Sequence, residues 1–316
     1  MQIVRYFMDP LSEVLSLLKL EAYISGGFPL TAGTGLEFRR HQGIKCYVVI
    51  DGNCWVAVTG SQEAIFLKSG DCVFLPSGAP FCLATAPDSL PQPFIPPDKE
   101  TGSALTMQAP RDGAFILGGR FTFSSAHADI LLHSLPPLIP VTEGIGQKVM
   151  RNAMECLREE MRVPQPGGDL IAQQLVQIML VQALRVFLQQ KGNEHVGWMF
   201  ALSDPQLKAA ITYMHQEPAF PWTLQELAKR VGMSRTVFTE HFKRKVGITP
   251  MKYLSQWRML LAGERLRNSR DSITQISQSA GYNSDSAFGR AFKKEWGCSP
   301  REHRQQLLRA FTSHEQ

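Results

Sequence analysis

The sequence predicts an α+β protein of several domains: an N-terminal β-barrel, a helical segment, and a C-terminal all-α domain with two helix-turn-helix motifs. Three observations lead to this fold class. Short apolar runs separated by turn residues fill residues 33–85, a spacing typical of antiparallel barrels or sandwiches. Helical periodicity begins near residue 147, and one pattern of apolar residues and glycines occurs twice within residues 224–300.

The strands of the N-terminal part are predicted from the turns between them. Residues 44–50 and 54–59 flank Asp51-Gly52, a dipeptide that favours a two-residue hairpin. Further strands are predicted at residues 64–67, 72–75 and 81–84, with a strand pair near 114–123. Residues 87–113 are rich in proline, glycine and charge, which predicts an exposed loop. A proline cluster at residues 136–140 ends this domain, so we expect it to span residues 1–140.

Two helices are predicted in residues 141–196, which we interpret as a helical linker and dimerisation segment. Residues 147–161 are amphipathic, and residues 169–190 are apolar around most of the helix. A helix of that kind needs cover on more than one side, from the barrel or from a partner subunit. Gln177, Gln182 and Arg185 interrupt the apolar run, which argues against a membrane span.

The repeated pattern predicts a short helix, a glycine turn and a second helix, twice, within residues 202–310. In each copy a helical apolar stripe precedes a glycine that favours positive φ, and a polar N-cap precedes two phenylalanines four residues apart. The first copy uses Leu224, Leu227, Ala228, Val231, Gly232, Ser234, Phe238 and Phe242. The second uses Ile273, Ile276, Ala280, Gly281, a cap at Asn283 or Ser284, Phe288 and Phe292.

Charge is unevenly distributed along the 316 residues. Residues 197–316 hold 18 Lys and Arg against 10 Asp and Glu, a net charge of +8; the chain total of +5 leaves −3 for residues 1–196. The basic C-terminal part is therefore expected to meet a polyanion, with a solvated basic surface as the alternative explanation of the charge. The six cysteines include no C-x-x-C pair, and no secretory signal is visible, so we expect reduced thiols in a cytoplasmic protein.

The C-terminal pattern resembles the AraC/XylS family of bacterial transcription regulators over residues 204–309. The resemblance is carried by Trp222-Thr-Leu-Gln-Glu-Leu-Ala, Gly232-Met-Ser-Arg and Gly247-Ile-Thr-Pro250. It implies a long helix at about residues 250–267 that separates the two motifs and places their second helices in successive major grooves. It further implies double-stranded DNA and RNA polymerase as partners, an activator, and a homodimer that reads paired half-sites, with no membrane partner.

The N-terminal part resembles the cupin-like domain of one subgroup of that family, which includes the reactive-chlorine-responsive activator. The matching segments are Asp9-Pro-Leu-Ser-Glu-Val-Leu, Asp51-Gly-Asn-Cys-Trp55, Leu67-Lys-Ser-Gly-Asp71, Leu75-Pro-Ser-Gly78 and Gln182-Ala-Leu-Arg185. Similar proteins begin near Met8, so residues 1–7 are expected to be a start-site extension. Related cupins carry histidines where this chain has Tyr47 and Phe81. Because only His41 remains nearby, we expect no metal and no cofactor.

Base contacts are expected on the outer faces of the two second helices. By resemblance the base-contact positions hold Thr236, Thr239 and Glu240 in the first motif and Asp285, Ser286, Gly289 and Arg290 in the second, and Arg235 also points outward. Glu240 either accepts from cytosine N4 or pairs with Arg244, and Arg290 either reads guanine or clamps a phosphate. Phosphate contacts are expected from Ser234, Lys243, Arg244, Lys245, Ser284, Lys293 and Lys294. Arg258 is expected to form an internal ion pair or to contact DNA.

The barrel is expected to receive a signal, because a small barrel holds one ligand among its inward side chains. The candidate residues are Cys46, Tyr47, Cys54, Trp55, Cys72, Phe81 and Cys82. Two signals remain open: an apolar or aromatic small molecule, or an oxidant that acts on the cysteines. No nucleophile with a paired base is visible, so we expect no catalytic residues. The alternative to a transcription regulator is a cupin-type enzyme. A weaker alternative is a protein that packages DNA without sequence preference.

Overall fold

The computed structural model describes residues 9–61, 63–95, 108–123, 135–142, 147–163, 165–191 and 196–312. Contacts divide these residues into two compact units. The barrel unit comprises residues 19–191, and the helical unit combines residues 9–18 with those from 196 onward. The three segments predicted from the sequence thus fall into two units. The helices of residues 147–191 group with the barrel, whereas a helix at residues 10–17 groups with the C-terminal helices.

The barrel unit is built on a curled sheet in which one long strand pairs with four others. The strands are β1 (Leu20–Leu30), β2 (Gly35–Phe38), β3 (Ile44–Val58), β4 (Ile65–Lys68), β5 (Cys72–Leu75), β6 (Phe81–Ala84), β7 (Pro91–Pro93), β8 (Ala114–Phe123) and β9 (Ile139–Val141). The sheet order is β1-β8-β3-β6-β2-β7; β4 and β5 also pair with β3, and β9 pairs with β5. All pairs are antiparallel except β2 with β7.

The hairpin predicted at Asp51-Gly52 is wrong, because β3 runs through it without a reversal. The register against β8 shifts between Val49 and Asp51. Before this point β3 pairs with β5 as far as Val48, and after it β3 pairs with β6 from Trp55 onward. Gly52 has φ of +77°, and a Cβ there would overlap the carbonyl oxygen of Gly113. The turn-forming dipeptide therefore makes a β-bulge that bends one strand from one side of the barrel to the other.

Aromatic rings fill the interior of the barrel. Phe38 stacks on Phe81 at 4.6 Å between ring centroids and on Phe94 at 4.5 Å. Tyr47 lies 5.3 Å from Phe38 and 5.4 Å from Phe81. Aromatic pairs of this kind add about 0.5–1.5 kcal/mol beyond the burial of their surface. The middle of the barrel is therefore a packed core.

Two helices complete the barrel unit, α2 (Gln147–Arg162) and α3 (Gly168–Lys191). Helix α3 packs against β1, where the side-chain amide of Gln177 donates to the carbonyl oxygen of Leu20 at 3.0 Å. Its residues 168–188 are long and apolar enough to cross a membrane by length and composition, and 44% of that segment is buried within the protein. The hydrogen bond from Gln177 to the sheet is a contact of a helix that packs within the protein.

The helical unit contains both predicted helix-turn-helix motifs. The helices of this unit are α1 (Pro10–Leu17), α4 (Trp198–Ala201), α5 (Pro205–Gln216), α6 (Leu224–Arg230), α7 (Arg235–Val246), α8 (Pro250–Asn268), α9 (Ile273–Ser279), α10 (Asp285–Trp296) and α11 (Pro300–Thr312). Motif 1 consists of α6 and α7, motif 2 consists of α9 and α10, and α8 joins the two motifs. The α+β class predicted from the sequence is confirmed.

Helix α1 packs on α5 and α8 through a buried polar network. The Nδ1 atom of His215 lies 2.8 Å from a carboxylate oxygen of Glu13, and its Nε2 lies 2.8 Å from the Tyr253 hydroxyl. Since a carboxylate only accepts, Nδ1 carries the proton and the Tyr253 hydroxyl donates to Nε2. The ring also stacks on Trp257 at 3.6 Å between centroids. Burial lowers the pKa of His215, against the opposing effect of Glu13, so the imidazole is neutral.

We predict that Glu13→Ala lowers the free energy of unfolding of the helical unit by about 1–3 kcal/mol, because the buried N–H of His215 loses its acceptor. Glu13→Gln should cost less than half as much, since the amide oxygen still accepts. Urea unfolding of the full chain, followed by the fluorescence of Trp257 and its neighbours, measures both. Ser16→Ala, at an exposed site on the same helix, is the control. Equal losses for the two Glu13 variants would contradict the network.

Candidate nucleic-acid interface

Motif 1 holds its second helix in place by a turn, a cap and two buried rings. Gly232 has φ of +70°, and Ser234, the residue that caps α7, is extended. The Ser234 hydroxyl accepts from the backbone N–H of Val237 at 3.3 Å and so begins α7. Phe238 and Phe242 are fully buried, with ring centroids 5.7 Å apart. One face of α7 is thereby fixed inward, and the opposite face is left in solvent.

Motif 2 repeats this arrangement with different residues. Gly281 has φ of +75°, and of the two predicted caps Ser284 is the one used, accepting from the N–H of Ala287 at 3.2 Å. Phe288 and Phe292 are fully buried and lie 5.8 Å apart. Both second helices end at a glycine in the left-handed region, as a C-terminal αL cap requires.

The outward faces carry the predicted base-contact residues. Six of them are exposed, and Thr239 and Gly289 are half-buried. The Thr239 hydroxyl donates to the carbonyl oxygen of Arg235 at 2.8 Å. The exposed six are Arg235, Thr236, Glu240, Asp285, Ser286 and Arg290. Asp285 is tied within its motif, because one carboxylate oxygen accepts from the Thr274 hydroxyl at 2.6 Å. That leaves its other oxygen as an acceptor on the exposed face.

Sequence reasoning missed one residue on the outer face of α7. Val237 is 54% exposed and lies three residues before Glu240, on the same side of the helix. An apolar residue in an amphipathic helix is normally assigned to the core. The signal that could have placed it outside is its position next to Phe238, because α7 turns about 100° per residue and Phe238 already occupies the inner face.

The cationic residues that follow the outer faces are mostly in solvent. Lys243, Arg244, Lys293 and Lys294 are exposed, and Lys245 is half-buried. Ser234 and Ser284 use their oxygen lone pairs as caps, which leaves each O–H able to donate to a phosphate.

Arg244 does not form the predicted pair with Glu240. Its guanidinium donates to Nδ1 of His241 at 2.8 Å, and His241 Nε2 donates to Asp204 at 2.7 Å. Burial alone would raise the pKa of Asp204, but the N–H of Leu207 and the His241 ring outweigh it and lower that pKa. Glu240 therefore lies on the outer face of α7 without an ion pair to Arg244.

Arg258 bonds to backbone carbonyl oxygens and not, among the described residues, to an acidic side chain, so the predicted internal ion pair is wrong, whereas its contact with DNA stays a prediction. Its Nε donates to the carbonyl oxygen of Pro218 at 2.7 Å, and a terminal nitrogen donates to that of Phe220 at 2.9 Å. The guanidinium therefore ties α8 to the loop that precedes α6.

The residues predicted to sense a signal do not share one surface. Tyr47, Cys54 and Phe81 belong to the core of the barrel, whereas Cys46 and Cys72 are fully buried outside that cluster. Successive residues of a strand point to opposite faces, and β3 pairs Cys46 with Phe74 and Tyr47 with Val73. Trp55 packs against Phe66 at 5.0 Å. Cys82, half-buried, completes the predicted set.

The buried thiols are held in their protonated form. Burial raises the pKa of Cys54 to about 12 and also raises the pKa values of Cys46 and Cys72 well above the ordinary value of a thiol. Lys45 is the cation next to Cys46 in sequence. Its ammonium group lies 5.2 Å from the centre of the Phe38 ring and 5.3 Å from that of Phe81, in cation–π contact with both rings. Because the thiolate is the reactive form, these cysteines are poor targets for an oxidant.

The two positions where related cupins carry histidines are occupied by packed rings, Tyr47 and Phe81. His41 donates from Nε2 to the carbonyl oxygen of Leu75 at 3.0 Å and meets Phe81 edge-on. Among the described residues there is no group of three or more His, Cys, Asp and Glu that could hold a metal ion.

We predict that alkylation of the native protein at pH 8 labels Cys156 first, because it is exposed. Cys46, Cys54 and Cys72 should remain unlabelled until the protein is unfolded in urea, since their thiols are buried and protonated. Peptide mass spectrometry over a time course follows each site. Labelling of Cys46 or Cys72 as fast as Cys156 would contradict the packing and restore the oxidant hypothesis.

Comparison with known proteins matches both halves of the chain. A cupin family model matches residues 9–189, and a helix-turn-helix domain model matches residues 227–306. An AraC-like transcription regulator of Streptomyces lividans is 33% identical over 94% of this chain and 98% of its own length. A second, of Streptomyces antibioticus, is 31% identical over 94% and 98%.

A third relative matches the subgroup expected from the sequence. The RCS-specific activator RclR of Escherichia coli is 32% identical over 57% of this chain and 64% of its own length. The resemblance to the AraC/XylS family with an N-terminal cupin is thus confirmed. The chain belongs to the AraC-like transcription regulators with a cupin domain, and it is a DNA-binding transcription regulator.

Proposed function

We propose that this regulator is a cytoplasmic activator that reads a two-part operator with α7 and α10 and is controlled by a signal received in the barrel unit. The observation that carries the proposal is the pair of buried phenylalanines in each motif, which leaves a polar outer face on both second helices. Base edges in a major groove are recognised by such outward polar side chains.

In motif 2 we assign sequence reading to Arg290. Its side chain is exposed, and the residue before it, Gly289, has nothing within 4 Å of where a Cβ would stand. A duplex can therefore approach the backbone of α10 closely at this point. Arg290 would then donate two hydrogen bonds to guanine O6 and N7. Asp285 and Ser286, one turn earlier, would contact the neighbouring bases.

In motif 1 we assign an apolar contact as well as polar ones. Val237 and Thr236 present methyl groups on the outer face, and a methyl group is the partner that suits the thymine C5-methyl. Glu240 repels phosphates and accepts from cytosine N4. Thr239 and Arg235 flank this group. Motif 1 would thus favour a thymine next to a cytosine.

Phosphate contacts come from the cations that follow the outer faces. Lys243, Lys293 and Lys294 are exposed, and each would release a counterion on binding without reading sequence. Arg244 is positioned by His241 and Asp204. Ser234, Ser284 and Lys245 add weaker contacts near the helix ends.

A homodimer and a contact with RNA polymerase complete the proposal. Leu170, Ile171 and Ile178 of α3 are 63%, 47% and 44% exposed and lie along one side of the helix. A second copy of this helix would cover them, and a dimer would present two copies of each motif to paired half-sites. We infer the polymerase contact from the likeness to RclR, which is a transcriptional activator.

We predict that Arg290→Ala weakens binding to the preferred operator by about 10- to 100-fold and relaxes one base position, because a bidentate base contact is worth about 1–3 kcal/mol. Lys293→Ala should weaken all sequences alike and lower the salt slope by about one. Competition binding of the full chain to specific and scrambled duplexes separates the two effects.

Lys208→Ala is the matched control, because it removes an exposed cation of α5 outside both second helices. Its affinity for both duplexes should change less than twofold. If Arg290→Ala weakens specific and scrambled DNA equally, Arg290 is a phosphate clamp and the base assignment is wrong.

A further inference from the structure

One side-chain hydrogen bond joins the two helices of motif 2 on their exposed side. The hydroxyl of Thr274, the second residue of α9, donates to a carboxylate oxygen of Asp285, the first residue of α10, at 2.6 Å. Both side chains are exposed. A hydrogen bond between exposed groups adds little to the stability of a fold, because each group bonds to water when the protein unfolds. The bond therefore matters most for the direction in which the carboxylate points.

Asp285 is not the residue that caps α10. Ser284 makes the cap, with its hydroxyl oxygen accepting from the backbone N–H of Ala287 at 3.2 Å. Among the described residues Asp285 forms no salt bridge. Thr274 thus holds one oxygen of the carboxylate, and the other oxygen is left for a partner outside the motif.

The chemistry of that free oxygen restricts the bases it can meet. An ionised carboxylate only accepts hydrogen bonds. In the major groove the donors are cytosine N4 and adenine N6, and adenine N6 lies beside the acceptor N7. Guanine and thymine present acceptors there, which repel a carboxylate. A single free acceptor at Asp285 therefore matches the single donor of cytosine best.

We propose that Thr274 is a positioning residue that sets a base preference of motif 2, by directing the free oxygen of Asp285 at N4 of a cytosine. The χ2 torsion of an aspartate is broad, so without the hydroxyl the carboxylate turns and both oxygens face the groove. The second oxygen then has no donor, and an acceptor left unpaired in a desolvated interface costs affinity. Thr274 itself touches no base in this arrangement.

The inference rests on the proposed function, because it names the base that Asp285 reads and adds a residue of α9 to the reading of that base. The first step of the test finds the base pair concerned. Random duplexes are selected by the parent chain and by Asp285→Ala, and the position whose preference the variant loses is the one that Asp285 reads. Competition binding to four duplexes that differ only at this base pair should show that the parent favours cytosine by about 5- to 100-fold.

The second step separates positioning from a structural role. Thr274→Val keeps the size of the side chain without the hydroxyl, and it should lower the cytosine preference by about fivefold or more while the other positions of the motif keep theirs. Thr274→Ser should restore the preference. In an Asp285→Ala background, Thr274→Val should change the binding of the four duplexes by less than about twofold, because no carboxylate is left to position.

Two further variants sharpen the assignment. Asp285→Asn should move the preference toward adenine, because an amide offers an acceptor to N6 and a donor to N7. Thr212→Val, on α5, is the matched control, since the Thr212 hydroxyl donates to the carbonyl oxygen of Lys208 within its own helix at 2.8 Å. Its preference should equal that of the parent.

Each other result overturns the inference. If Thr274→Val keeps the parent's preference, weakens all four duplexes equally, or acts as strongly in the Asp285→Ala background, the hydroxyl does not position Asp285. If Asp285→Ala loses no base preference, or the parent favours a base other than cytosine at that pair, the base assignment is wrong. These results, obtained with a parent that selects a motif, overturn this inference alone, whereas a parent that selects no motif overturns the proposed function.

Discussion

The packing of both helix-turn-helix motifs onto the single helix α8 is the constraint on which the DNA-binding unit depends. Tyr253 and Trp257 contact the first motif and α5 through ring contacts, and Met259, Ala262 and Leu266 lie in the core of the second. At Gly263 a Cβ would overlap the Trp296 indole, so the close contact of α10 with α8 requires a glycine. The helix has 19 residues, about 28 Å at 1.5 Å per residue, close to the roughly 34 Å between successive major grooves.

Much of this unit could be predicted from the sequence because its signals are local. Gly232, Ser234, Phe238 and Phe242 lie within eleven residues, and each has one structural role that its chemistry favours. The roles of Arg258 and Arg244 were not predictable, since their partners at Pro218, Phe220 and His241 are fixed only by tertiary packing. Helix α1 was missed as part of this unit for the same reason. Glu13 and His215 are 202 residues apart in sequence.

The barrel was harder to predict, because one dipeptide suits two structures. Asp51-Gly52 favours a hairpin, but the positive φ of Gly52 serves a bulge equally well, and the choice depends on the pairing of β3 with β8. That bulge also changes which residues face inward. Tyr47 and Cys54 both point into the core, although their separation is odd, so simple alternation fails across it. The predicted sensing residues were therefore divided between two faces of the sheet.

The central claim is that α7 and α10 read two blocks of sequence from one duplex. Selection of random duplexes by the purified full chain, repeated across a salt series, tests it most directly. The account predicts an enriched motif with two blocks about one helical turn apart, one with a guanine for Arg290, and a specificity ratio that persists as salt rises. Binding without a motif, with affinity that falls steeply as salt rises, would leave only the electrostatic attraction of a basic surface and would contradict the account.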